Sequence, residues 1–155
     1  MRKLLGNVSP VSALNSTLAA IVDRGFDTWD DCYFLRGLSS FSTSATRSNF
    51  TDCTGYECFV NSVHIEDYEN EAPLSQAIQY VMYVFTAWRV FSRDLTLTAI
   101  ISADEFSVVT RFHVRRSKEQ WLSDDVEGYE DPILQIESSE DIVKIIQEVR
   151  KRISK

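Results

Sequence analysis

Glycine is scarce, at five residues in 155. Nothing in the chain resembles GxGxxG or a P-loop, the glycine-rich turns whose backbone N–H groups cradle phosphates. That argues against nucleotide binding. Basic charge is also in deficit: 16 Lys and Arg stand against 23 Asp and Glu, for a net charge of −7 and a pI near 4.8. Nucleic-acid affinity comes largely from neutralising phosphates with Lys and Arg, so this balance argues against direct nucleic-acid binding. It argues equally against an anionic membrane surface. The opening, MRKLLGNVSP, is basic but lacks the apolar run of a signal peptide. The three cysteines, Cys32, Cys53 and Cys58, are an odd number, where a secreted disulfide scaffold normally pairs all of them. Together these absences predict a reducing, cytoplasmic setting. Asn15-Ser16-Thr17 and Asn49-Phe50-Thr51 match glycosylation acceptors, but without a secretion signal they read as chance.

What is present is a core. Apolar residues make up 44% and aromatics 12%, which is globular composition, and the length suits one domain spanning residues 1–155. Residues 73–92, PLSQAIQYVMYVFTAWRVFS, organise the chain. Leu74, Ala77, Ile78, Val81, Met82, Phe85 and Trp88 follow helical spacing. Tyr80, Tyr83, Val84, Ala87, Val90 and Phe91 make the opposite side apolar as well. A helix apolar all round is expected to be buried, here over about 30 Å. Pro73, Gln76, Gln79 and Arg89 argue against a membrane span, which needs roughly 20 uninterrupted apolar residues.

In chain order, Ser9-Pro10 reads as an N-cap with proline at the first helical position, and a helix is expected over about residues 10–24, stopped by Gly25. FDTWDD at 26–31 reads as an acidic turn, and residues 32–36 as a short strand. Residues 37–55 are rich in Ser, Thr and Gly and are left as a loop or irregular edge. Residues 56–65 alternate as a strand, and 66–71 are an acidic linker. Two alternating runs, 95–101 and 106–115, predict an antiparallel hairpin around Ser102–Glu105. Residues 132–136 are a last strand. Ser138-Ser139-Glu140-Asp141 resembles a capping box before a helix with a stripe of Ile142, Ile145, Ile146, Val149 and Ile153. The expected architecture is α+β: a single domain with an antiparallel sheet of about five strands and three helices, N-terminal, central and C-terminal.

Candidate chemistry is sparse. Cys53, Cys58 and His64 have the wrong spacing for a zinc knuckle, so no metal or cofactor is expected, and the cysteines read as small apolar residues. A Cys–His or carboxylate–His pair using His64 or His113 would define a small cytoplasmic enzyme, but no glycine-rich elbow surrounds a candidate nucleophile. His113 alternates with Arg111 and Arg115, which predicts a surface histidine. Asp124, Asp125, Glu127, Glu130 and Asp131 crowd eight residues, and Trp121 and Tyr129 sit among them. Aromatic anchors within charge are a typical interface mixture. Trp29, Asp30 and Asp31 repeat the pattern.

The stretch Arg111–Ser138, RFHVRRSKEQWLSDDVEGYEDPILQIES, combines a hairpin strand, a Trp-Leu, an acidic Asp-Asp-Val-Glu-Gly-Tyr segment and a Pro-Ile-Leu strand. In this it resembles small bacterial immunity proteins of polymorphic toxin systems, including contact-dependent growth inhibition. The resemblance implies a cytoplasmic, non-enzymatic protein that binds the basic toxin domain of a cognate effector, often a nuclease, and blocks its active site. On that basis the expected partner surface is Trp121, Asp124, Asp125, Glu127, Tyr129, Glu130 and Asp131, with Trp29, Asp30 and Asp31 second. The alternatives are the small enzyme, or a generic adaptor or assembly subunit, for instance a homodimer through the hairpin edge.

Overall fold

Helix α5, Pro73–Phe91, forms where its periodicity places it. Proline opens it at a position where no N–H partner is needed. Its buried side carries Ala77, Ile78, Tyr80, Val81, Val84, Phe85 and Trp88. The burial is not all round. Tyr83, Thr86 and Val90 form an exposed strip, because a sheet covers one flank and helices cover only part of the other. A computed structural model describes residues 1–6, 8, 13–39, 44–125 and 128–153 of the chain. The expected cap at Ser9-Pro10 lies outside them. Among the described residues, no helix is long and apolar enough to cross a membrane.

The main sheet is antiparallel, in the order β3-β5-β4-β6. Its strands are β3 (Val63–His64), β4 (Leu97–Ala103), β5 (Val108–Val114) and β6 (Ile133–Glu137). The period-two pattern sets the register. Leu97, Ala99 and Ile101 sit opposite Val114, Phe112 and Thr110, and Ala99 pairs on its other side with Ile136. This inner face meets α5, with the rings of Tyr80 and Phe85 edge-on to Phe112 at 5.7 and 6.5 Å. Each large apolar side chain fully buried there contributes roughly 1.5–3 kcal/mol. Trp88 is fully buried and its indole N–H donates to the Leu95 carbonyl at 2.8 Å, so its polar end is satisfied as well.

The remaining elements pack around this layer. Helix α1 is Arg2–Gly6 and the C-terminal helix α6 is Ile142–Ile153. Asp141 caps α6, accepting from the N–H groups of Val143 and Lys144, so the cap falls on the last residue of the expected box. Helix α2 is Ser16–Asp23. Asn15 is its N-cap, with the side chain accepting from Thr17 and Leu18 N–H, so the apparent glycosylation match is a capping signal. Gln76 of α5 holds that cap by accepting from the Asn15 N–H and donating to the Ala13 carbonyl. Gly25 ends α2 with φ +76°, a conformation costly for other residues.

A second, two-stranded sheet is the hairpin of β1 (Phe26–Trp29) and β2 (Cys32–Leu35). Residues 26–29, expected as turn, are a strand, and Asp30 and Asp31 alone make the turn. Both have positive φ, 51° and 60°, as a two-residue hairpin turn matching strand twist requires. Helix α3, Arg36–Ser39, follows directly. At Gly37 an added Cβ would lie 2.7 Å from the Ile21 carbonyl oxygen, so glycine lets α3 press against α2.

The largest departure from expectation is at residues 53–65. Cys53–Val60 is a helix, α4, and only Val63–His64 is strand. Alternation over YECFVNSVHI left neither side polar, and such a run does not separate strand from buried helix. Asp52 decides locally, accepting the Gly55 N–H at 2.8 Å as N-cap. Residues 37–55 likewise contain α3, a 3-10 turn at Arg47–Asn49 and the start of α4.

Helix α4 joins the two sheets through side chains one turn apart. Glu57, with no solvent exposure, accepts the Tyr33 N–H of β2 at 2.8 Å and the Val114 N–H of β5 at 2.7 Å. The Arg116 guanidinium donates to both of its oxygens, at 2.6 and 3.0 Å. Asn61 accepts the Leu35 N–H and donates to the carbonyls of Tyr33 and Phe112. The facing edges of β2 and β5 thus find their partners on one helix.

Two stability outcomes follow from this packing. Glu57→Gln replaces an acceptor by an amide N–H2 that faces donors and takes from Arg116 the buried one of its two carboxylate partners. Urea unfolding should show a loss of about 3 kcal/mol. Tyr80→Phe removes a buried hydroxyl that has no hydrogen-bond partner among the described residues. It should leave the urea midpoint unchanged or raise it.

Candidate interaction surface

Strands β5 and β6 flank β4 and run in the same direction. The chain leaving β5 beside Leu97 must therefore return the full length of β4, about 20 Å, before β6 can start beside Ser102. Residues 115–132 make that return. Arg116 anchors its beginning on Glu57 and on the Asp31 carbonyl. Glu119 pairs with Arg116 at 3.2 Å and accepts the Cys53 N–H at the start of α4. Pro132 closes it, accepting the Ala103 N–H at 3.0 Å.

Between these anchors lies the acidic segment. Asp124, Asp125, Glu130 and Asp131 are exposed, and among the described residues none of them is in an ion pair. Trp121 is 43% exposed and Tyr129 40%. The segment is internally braced. The Ser123 N–H donates to the Tyr129 hydroxyl at 3.1 Å, the Ser123 hydroxyl to the Asp125 carbonyl, and the Gln120 amide to Asp124. That donation from Ser123 favours the phenolate and holds the Tyr129 phenol below its usual range. Glu127, expected among these acids, lies outside the described residues.

The second expected cluster is elsewhere. Asp30 and Asp31 are exposed but sit beside Arg116, at the Leu97 end of the sheet. Tyr129–Asp131 are at the Ala103 end. Trp29 is not a free anchor: its ring stacks on Phe34 at 3.8 Å, and its indole N–H donates to the Tyr56 hydroxyl at 3.2 Å. It belongs to a small second core with Cys32, Phe34, Cys53, Tyr56 and Val60. The ten expected residues therefore do not make one patch. At the Ala103 end, a groove of about 740 Å³ brings Tyr129, Glu130 and Asp131 beside Arg2, Lys3 and Leu4 of α1. Short-range patterning gives no sign of that juxtaposition, which joins residues more than a hundred positions apart.

The groups proposed for chemistry do not converge. His64 is exposed and 3.0 Å from Glu66. His113, expected at the surface, is buried. Its Nδ1 donates to the Val114 carbonyl at 3.0 Å. The two share a sheet face, since His64 pairs with Val109, but four residues of β5 separate them. Another cavity, of about 610 Å³ between the end of α5 and the start of α6, is lined by Trp88, Arg89, Arg93, Ser139 and Asp141 among others and by neither histidine. Its Arg89 is already committed to the Ser138 carbonyl, at 2.8 and 3.0 Å.

The cysteines divide differently from expectation. Cys58 is free and buried, and burial pushes its thiol well above the usual range, which leaves no reactive thiolate. Cys32 and Cys53 are joined by a disulfide. Their sulfurs and a Glu57 oxygen lie within 4.8 Å of one another, a grouping that spacing between Cys53, Cys58 and His64 does not reveal. As a metal site it is poor even when reduced, because Glu57 already accepts four hydrogen bonds, two from a guanidinium whose charge would oppose a cation.

The fold and surface thus define an α+β domain with two sheets tied by one helix and an exposed acidic, aromatic crossover. A family model described as the Uncharacterized protein PM0498 family matches residues 1–151, and the chain belongs to that family. It is similar to the Uncharacterized protein PM0498 of Pasteurella multocida (strain Pm70), with 28% identity over 115 residues, 67% of this chain and 72% of that protein. No solved structure matches.

Burial holds the His113 imidazole below its usual pKa, against the pull of Glu57 and Glu119 and with that of Arg116. The unfolded chain therefore binds a proton that the folded chain resists. Stability should be fully present above about pH 6.5 and fall as pH drops below it. In His113→Gln the fall between pH 6.5 and 5 should be shallower, as read by thermal melts across that range.

Proposed function

We propose that this protein is an immunity-type inhibitor. It binds the toxin domain of a cognate secreted effector, a basic nuclease, in the cytoplasm and neutralises it by covering the active site. One observation carries this: four carboxylates of the 124–131 segment stand in solvent without ion pairs, flanked by two half-exposed aromatic rings. In a basic cleft these carboxylates take the places of substrate phosphates. The net charge of −7 speeds the encounter. Burial of Trp121 and Tyr129 slows dissociation. Asp30 and Asp31, at the other end of the sheet, form a separate contact at most. The separation of His64 from His113 supports a binder over an enzyme, which needs convergent groups in a concave site.

The test is to co-express this chain with any toxin domain that the neighbouring reading frame encodes. Growth should be restored, and the two chains should co-purify at a fixed stoichiometry. Reversing Asp124, Asp125 and Glu127 to Lys should weaken the complex roughly tenfold or more, with the melting temperature unchanged. Undiminished binding by that triple variant would move the surface elsewhere. Turnover of a small compound by the purified chain would replace inhibition by catalysis.

A further inference from the structure

We propose that Cys32 and Cys53 form a reversible redox clasp that opens one loop and leaves the rest of the fold standing. This rests on the local geometry and not on the inhibitor reading. The disulfide joins the residue after the Asp30-Asp31 turn to the first residue of α4 and closes a loop of 21 positions. The described part of that loop is also held by α3 against α2, by the Asp52 cap on α4, and through Tyr56, whose hydroxyl donates to the Ala45 carbonyl and whose ring stacks on Phe50 at 5.0 Å. Strand β2 has independent attachments, because Glu57 and Asn61 hold Tyr33 and Leu35 through three hydrogen bonds. Breaking the S–S bond therefore removes a constraint on residues 44–52 without releasing the hairpin from the main sheet. A disulfide persists in an oxidising compartment and opens in a reducing one if it is labile, and the odd third cysteine is buried out of reach.

Opening is a thiol–disulfide exchange. An incoming small-molecule thiolate bonds to Sγ of Cys53, the residue of the pair with any exposure, at 7% beside a Cys32 with none. The S–S bond breaks, and Cys32 leaves as a thiolate that takes a proton. A second thiolate then bonds to the sulfur of the first thiol, the mixed S–S bond breaks, and Cys53 leaves as a thiolate that takes a proton while the two small thiols depart as one disulfide. Two electrons and two protons pass from two thiols to the protein. Closure by a small-molecule disulfide reverses each step.

The full chain, equilibrated in reduced and oxidised glutathione at stepped ratios, tests this. Peptide mapping after alkylation should show Cys32 and Cys53 appearing together as the ratio becomes reducing, with Cys58 alkylated only after denaturation. Limited proteolysis should then cut within residues 44–52 only in the reduced form. The melting temperature should fall by about 5–10 °C, with far-UV circular dichroism unchanged. The Cys32→Ser, Cys53→Ser double variant should show the reduced pattern at every ratio. Should that variant fail to fold, or should reduction unfold the whole chain, the bond is a structural staple and the clasp is wrong. Identical proteolysis in both states, or linkage of either cysteine to Cys58, overturns it as well.

Discussion

Glu57 is the constraint on which the rest of this structure turns. A carboxylate sealed from solvent needs every lone pair answered, and here two strand edges and a guanidinium answer them. The strands β2 and β5 come from different sheets, and each would otherwise leave N–H groups buried without partners. An unmet buried donor costs about 1–3 kcal/mol, so the arrangement removes several such penalties at once. Asn61 repeats it one helical turn later, with both its acceptor and its donor group in use. Helix α4 thereby acts as a substitute strand, and the hairpin it holds becomes part of the body.

The same carboxylate sets the course of the crossover. Arg116 is fixed on Glu57 and reaches the Asp31 carbonyl. Glu119, paired with Arg116, also satisfies an N–H at the start of α4. The start of the return path is thus pinned by two partly buried, oppositely charged side chains. The acidic residues that follow make no ion pair among the described residues, although Arg2 and Lys3 line the same groove as Glu130 and Asp131, and they remain in solvent. Charge in this chain is divided between a buried network that builds the fold and an exposed set available to a partner. Only the exposed set bears on the inhibitor proposal.

Much of the framework is legible in residue order. Helix α5, the hairpin of β4 and β5, strand β6 and helix α6 each carry a long, one-period pattern with little competing signal. The failures share a cause. Residues 56–65 alternate, yet are apolar on both sides, and a locally ambiguous run is decided by Asp52 and by a tertiary slot for Glu57 and Asn61. Short elements such as α1, α3 and β1 are four or five residues long, too few for periodicity to register. His113 alternates with arginines and so reads as exposed. Its burial depends on the sheet face being covered, which alternation does not report. For the candidate surface, the exposure of the acids and of Trp121 and Tyr129 agrees with their composition. The distance between the two acidic clusters, and the commitment of Trp29 to an aromatic stack, follow only from strand order.

Residue order alone determined the class, a mixed α+β chain with a long central helix and an antiparallel hairpin, because local periodicity and capping act within a few residues; the hairpin loop itself falls at 104–107, two positions after the expected Ser102–Glu105. It also determined the balance of charge, which no folding can alter. Tertiary structure decided which charges are spent inside. Glu57 and Arg116 are indistinguishable in sequence from their exposed neighbours until two sheet edges close around them. It decided, too, that Cys32 meets Cys53 and not Cys58, since a bond needs two sulfurs in contact, and contact between a hairpin turn and a helix start is a property of packing alone.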